Sequence, residues 1–234
     1  NAFQPLDVPY LVTSNDESYE LLTGPAGDLM TEKCIAETGL KPLYYGIIGM
    51  RQFTNSKHEI VTPDDLKGLK IRAQNNSVQV KGLSAFGCSI STMSFSEVFT
   101  SLQQGTIDGQ ENPIETLYNF QYYDVQDYVT ISNHLCTAGA VVCNNAWYEG
   151  LSDEFKAAVD KAAQVAEAYS IEELNSSESE VLSLLAEKMQ VTELTEEQLA
   201  AFQDVAKTAW PELVDEIGSD YMNEFLTAAG ISMN

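Results

Sequence analysis

Arg51 and Arg72 are the only arginines in this chain of 234 residues, and 21 positions separate them. Around them 35 acidic residues outnumber 12 basic ones, for a net charge of −23. Such a chain repels anions at long range, so any anion it holds needs a short-range clamp. A guanidinium supplies one, because its planar fork donates two parallel hydrogen bonds to one carboxylate and keeps its charge when water leaves. The chemistry within reach of these residues is therefore a short-range clamp on an anion such as a carboxylate. Ordinary surface ion pairs are the competing explanation.

Other chemistries have thinner support. Cys34, Cys88, Cys136 and Cys143 show no CxxC spacing; they read as free thiols buried in runs such as Val141-Val142-Cys143, with two disulfides arithmetically open. His58 and His134 lie 76 positions apart, so neither a metal site nor a cofactor is expected. The acid excess argues against nucleic acid and anionic membranes, and no apolar run approaches the roughly 20 residues of a membrane span. The first residue is Asn1, which is compatible with removal of a leader. Asp108 and Glu111 are the one carboxylate pair worth weighing for glycoside hydrolysis, although a turn and a helix entry account for both without catalysis.

The elements that must position the arginines follow from pattern. Residues 1–11 read as extended, and 15–38 as an amphipathic helix interrupted at Gly24. The apolar run Leu43 to Met50 predicts a buried strand. Thr62-Pro63-Asp64-Asp65 opens a helical turn that Gly68 closes. Leu69 and Ile71 alternate with Lys70 and Arg72, which puts Arg72 at the carboxyl end of a strand, where open α/β sheets hold ligands. A strand from Cys88 to Met93 precedes the capping box Ser94-Phe95-Ser96-Glu97, with Phe95, Val98, Phe99 and Leu102 on one helix face. Thr106 to Gly109 reads as a short strand and turn, and Asn112 as N-cap of a helix with Pro113 at its first position. Two β-rich runs lie between Asp127 and Asn144. Helices follow Ser152, with a phase slip at Asn175-Ser176-Ser177 and further helices from about Thr195 and Asp220; Pro211 breaks the first of these.

Five ordered stretches make the chain resemble the extracytoplasmic solute-binding receptors of tripartite ATP-independent periplasmic (TRAP) transporters. They are Met50-Arg51-Gln52-Phe53-Thr54-Asn55-Ser56, Leu66-Lys67-Gly68-Leu69-Lys70-Ile71-Arg72, Phe95-Ser96-Glu97-Val98, Asp108-Gly109-Gln110-Glu111-Asn112-Pro113, and Tyr122 through His134. The resemblance implies an α/β fold of two periplasmic-binding-protein-like domains around a cleft, with a long helix spanning both. It implies a partial first domain from 1–49 plus 138–177 and a second from 50–137 plus 178–234. Arg72 becomes the anchor for the ligand carboxylate. Arg51 and Asn112 become further ligand contacts in the same pocket, and Asn75 and Phe95 pocket-lining residues.

The resemblance further implies a receptor without chemistry of its own, located outside the cytoplasm, which closes on an organic acid and hands it to a membrane permease. A ligand-sensing domain of a signalling system is the alternative. Two arginines suit a C4-dicarboxylate and equally a hydroxylated monocarboxylate such as a uronate; Tyr44, Tyr45, Gln74 and Asn75 are candidate polar partners for the latter. The opening Asn1 to Leu11 resembles the family's region after its third strand, so a trimmed first domain with an exposed apolar sheet face is expected.

Overall fold

A computed structural model describes residues 2–232. Its organising element is β1 (Leu40–Asn55), 16 residues long and so extending well beyond the expected 43–50 at both ends. Aromatic and β-branched residues make this stretch a strong strand former. Its first part, Leu40 to Met50, pairs antiparallel with β6 (Cys136–Asn144), with register shifts at Pro42/Tyr44 and Ile47/Gly49. From Arg51 onward it changes partners and runs antiparallel between β4 (Gly109–Pro113) and β5 (Tyr128–Ile131). Gly49 sits at that crossing with φ +130°, and a Cβ there would lie 3.2 Å from the Pro113 ring. Only glycine takes that backbone angle without strain.

Beside β4 lie β2 (Lys70–Ala73) and β3 (Ser89–Thr92), all three parallel, and β7 (Gln190–Glu193) extends the other flank parallel to β5. The seven-stranded order is β3-β2-β4-β1-β5-β7, with β6 on the first part of β1. Helices α3 (Ser77–Ser84), α4 (Phe95–Gln103) and α5 (Ile114–Asn119) follow β2, β3 and β4 in turn. The parallel strands therefore end at one rim, where the chain turns into helices.

Three apolar clusters hold the fold. The first surrounds Met30 and gathers α1 (Asn15–Thr23), α2 (Pro25–Thr38), the start of β1, and the C-terminal helices α9 (Trp210–Ile217) and α10 (Ser219–Ala229). The other two cover opposite faces of the sheet. Phe53, Ile71, Phe86 and Phe202 of α8 (Glu196–Lys207) pack on one side. Val98, Leu117, Tyr122 and Val129 pack on the other. After α6 (Asn145–Glu149), α7 (Asp153–Ala186) runs unbroken for 34 residues, from the first cluster at Leu174 to the third at Leu185. The phase slip at 175–177 marks that hand-over between cores and not a break.

Several local expectations change. Residues 4–7 form a 3-10 turn started by Pro5. Asn112 is not an N-cap: pairing of Arg51 with Pro113 and Gln52 with Asn112 keeps it in β4, and the following proline disfavours helical backbone at that position. Asp108 falls in a turn before β4. Asn76 caps α3, accepting from the amides of Val78 and Gln79. All four cysteines are free thiols; Cys34 and Cys88 are buried, Cys136 and Cys143 half-buried. Ile48, Val141, Phe155, Val165 and Tyr169 are exposed on β1, β6 and the first part of α7. Among the described residues no helix is long and apolar enough to cross a membrane.

Candidate functional site

The strand register places the two arginines on opposite faces of the sheet. Arg72 is level with Gln110, Gln110 with Thr54, and Thr54 with Val129. Paired residues share a face, so Arg72 belongs with the cluster around Val129 and Tyr122. Arg51 is two residues before Phe53, whose partner is Glu111, and belongs to the opposite face.

On its face Arg51 is fully committed. Its Nε and Nη2 grip the two carboxylate oxygens of Glu111, Nη2 also donates to the Glu111 carbonyl, and Nη1 donates to Thr137 Oγ1 at 2.8 Å. Both side chains are buried, Glu111 completely. His134 lies flat on Phe53, with ring centroids 4.0 Å apart, and its Nε2 is 3.4 Å from Glu111 Oε2. With that nitrogen donating, Nδ1 accepts from Ser132 Oγ at 2.8 Å. Burial alone would raise the Glu111 carboxyl, but the Arg51 charge and the hydrogen bonds from His134 and Arg51 outweigh it and hold the group at about 2. Burial pushes His134 below its ordinary value, with the Glu111 carboxylate pulling the other way. The network ties the end of β1 to β4 and to the β5–β6 connection.

On the other face Arg72 is left open. Its Nε and Nη2 donate to one acceptor, the Met93 carbonyl, at 3.3 and 2.9 Å. Nη1 is buried and has no hydrogen-bond partner, and no carboxylate of the described residues lies within ion-pair distance of the group. Burial lowers its pKa from the ordinary value, opposed by the field of Glu111. A buried, half-satisfied guanidinium is costly unless something completes it. What adjoins it is a cavity of about 520 Å³, lined by Arg72, Gln74, Asn75, Met93, Ser94 and Phe95. These residues come from the carboxyl ends of β2 and β3 and from the first turn of α4. The capping box that starts α4 is formed: Ser94 and Glu97 bond each other's backbone and side chain.

Three of the five predicted site residues therefore share this cavity: Arg72, Asn75, which is exposed, and Phe95, which is 38% exposed. Phe95 meets the exposed Phe120 edge to face with ring centroids 4.7 Å apart and the buried Tyr122 at 6.3 Å, so it stands between the cavity and the third cluster. Arg51 and Asn112 do not line it. Asn112 shares the Arg72 face, and its amide donates to Gln110 Oε1. Gln74 lines the cavity, whereas Tyr45 does not: its hydroxyl bonds Thr31 at 2.8 Å inside the first cluster. Sequence reading missed Glu111, His134 and the Met93 carbonyl as partners of the arginines. A single acid inside the otherwise uncharged Gly109-Gln110-Glu111-Asn112-Pro113 was the available signal for the first. The hydrolase pairing fails on geometry: Glu111 is sealed by Arg51, while Asp108 accepts from the Lys70 amide and pairs with Lys57.

Comparison with known proteins identifies the family and the fold. Residues 1–216 match the family described as bacterial extracellular solute-binding protein, family 7. The 2,3-diketo-L-gulonate-binding periplasmic protein YiaO of Escherichia coli K12 is 38% identical over 164 residues, 70% of this chain and 50% of that protein. The sugar acid binding protein DctPAm of Advenella mimigardefordensis, solved with galactonate, superposes with a TM-score of 0.88 at 31% identity, covering 98% of this chain and 74% of that one. A TRAP periplasmic solute binding protein of Shewanella oneidensis, solved with succinate, gives 0.86 at 29% identity, covering 97% and 75%. The chain spans about half the length of the first curated relatives it matches. With the match running through nearly the whole chain and the two-domain α/β fold shared, this protein belongs to bacterial extracellular solute-binding protein family 7.

Proposed function

We propose that this chain is the binding part of an extracytoplasmic receptor that captures a small organic acid, a sugar acid or uronate or a C4-dicarboxylate, and delivers it to a TRAP-type membrane permease. The observation that carries this reading is the Arg72 guanidinium, buried beside an open cavity with one terminal nitrogen unpartnered. A carboxylate there would accept from Nη1, match the charge, and lie in a partly desolvated setting where the pairing is strong. Arg51 serves in this reading by holding the floor of the site through Glu111 rather than by gripping the acid, and Asn112 by its place beside Gln110. Two lobes would move about the β1 crossing at Gly49 and about α7 near Asn175. In this reading the lobes depart from the division expected at 1–49 plus 138–177 and 50–137 plus 178–234 in one respect: α9 and α10, which that division gives to the second domain, belong with the first because they pack in the cluster around Met30. A ligand that binds the closed form better selects it.

The receptor returns its acid unchanged. A thermal-shift screen against aldonates, uronates and C4-dicarboxylates tests the reading. An acid present at 100 times its dissociation constant should add about 2.7 kcal/mol of stability. Absence of any shift across the three classes removes it.

A further inference from the structure

Gln74 and Asn75 reach the cavity from a loop of three residues, 74–76, that joins β2 to α3. The ladders of β2 with β3 and β4 fix the start of this loop. Its end is fixed from outside the cavity. Asn76 uses both arms of its carboxamide: Oδ1 accepts from the amides of Val78 and Gln79, and Nδ2 donates to Asp7 Oδ2 at 2.6 Å. Within the first turn of α3, Gln79 Nε2 donates to the other oxygen, Asp7 Oδ1, at 2.8 Å. One carboxylate therefore spans the junction of loop and helix. The Asn76 amide in turn donates to the Gln74 carbonyl at 2.8 Å, which closes the loop on itself.

Asp7 has a firm mounting of its own. The Tyr10 amide donates to the His134 carbonyl at 2.8 Å, its hydroxyl to the Ser132 carbonyl at 3.0 Å, and Trp210 Nε1 to the Pro9 carbonyl at 3.0 Å. These bonds tie the segment after Asp7 to the β5–β6 connection and to α9. They also hold Tyr10 at φ +57°, an uncommon angle for a residue with a side chain. The Pro9 ring lies so close to α3 that a Cβ at Gly82 would come within 2.7 Å of it. The tie is an expensive one, because burial raises the Asp7 carboxyl against the two carboxamides that lower it.

We infer that Asp7 is a positioning residue for the ligand cavity: through Asn76 and Gln79 it fixes the loop that presents Gln74 and Asn75 to an acid held by Arg72. This rests on the receptor reading, deepens it, and is independent of which acid binds. A polar side chain on a loose loop must be ordered when ligand arrives, at a cost of about 0.5–1.5 kcal/mol each, and a loop ordered beforehand avoids it.

The test is calorimetric titration of the full chain with galactonate and with succinate, whichever binds serving as probe. Asp7→Ala should weaken binding about tenfold, the scale of one charge-assisted hydrogen bond. Asp7→Asn should stay within about threefold of the unsubstituted chain, because its oxygen still accepts from Asn76 and its amide can donate to Gln79 Oε1, which is buried and has no partner. Asn76→Ser keeps a good helix cap but is too short to reach Asp7, so it should lose about as much as Asp7→Ala, and it replaces that variant if Asp7→Ala does not fold. In a chain already carrying Gln74→Ala and Asn75→Ala, Asp7→Ala should change affinity by less than about twofold, since the side chains it positions are gone. An equal loss in both backgrounds would mark a merely structural residue and overturn the inference. Unchanged affinity in both Asp7→Ala and Asn76→Ser overturns it too, with the receptor reading intact. Failure of the unsubstituted chain to bind either acid removes the receptor reading and this inference with it.

Discussion

The two arginines make a controlled comparison within one sheet. Arg51 and Arg72 are both buried, both charged and both flank β4, yet one is saturated and the other is not. Arg51 has a carboxylate, a carbonyl and a hydroxyl around its fork; Arg72 has one carbonyl for two of its nitrogens and nothing for the third. The difference teaches that a buried cation is explained by its partners and not by its type. A guanidinium matched inside the protein is architecture, and one left short of an acceptor beside a cavity is the group we propose for binding.

The contrast can be broken most sharply at Arg51. Arg51→Met leaves Glu111 buried without a counter-charge and should lower stability by about 3–5 kcal/mol, read by chemical denaturation. Adding Glu111→Leu should recover most of that loss, because removing a whole buried pair is far milder than removing one member. Arg72→Met should do the reverse. Ligand-free stability should hold or rise, while affinity for the organic acid falls by about 2–5 kcal/mol, measured by titration calorimetry. Equal stability losses at the two positions would erase the distinction. Phe95→Ala should weaken binding by about 1 kcal/mol through loss of the aromatic wall.

The smallest effect lies in pH. Burial sets the His134 imidazole below its ordinary 6.5, so below that pH the unfolded chain takes a proton that the native one refuses. Stability is therefore full above about 6.5 and declines on acidification. Glu111, held at about 2 against an ordinary 4.5, adds a second decline between those values. Melting temperature followed from pH 8 to pH 3 should show both phases. His134→Gln should remove the upper one alone.

Much of the frame was legible in sequence because its signals are local. Alternation at Leu69 to Arg72 placed Arg72 at a strand end. Ser94 and Glu97 announced the α4 capping box, which brings Phe95 to the cavity. What sequence hid was pairing across distance. Glu111 meets Arg51 from 60 positions away, and only the register of β4 against β1 decides which sheet face each side chain takes. The same register kept Asn112 in a strand, although Asn-Pro is a strong helix-start signal by itself. The aromatic side chain of Phe95 was visible as a candidate wall, but the role of the Met93 carbonyl was not, since a backbone oxygen leaves no trace in residue type.

One feature of β1 reaches beyond ligand capture. Its backbone zips to β6 on one side of Gly49 and to β4 and β5 on the other. Neither half can fray without tugging at the ladder of its neighbour through an unbroken extended segment. Thermal melting of this two-part architecture should accordingly proceed as a single concerted event, with the shared strand acting as the common seam.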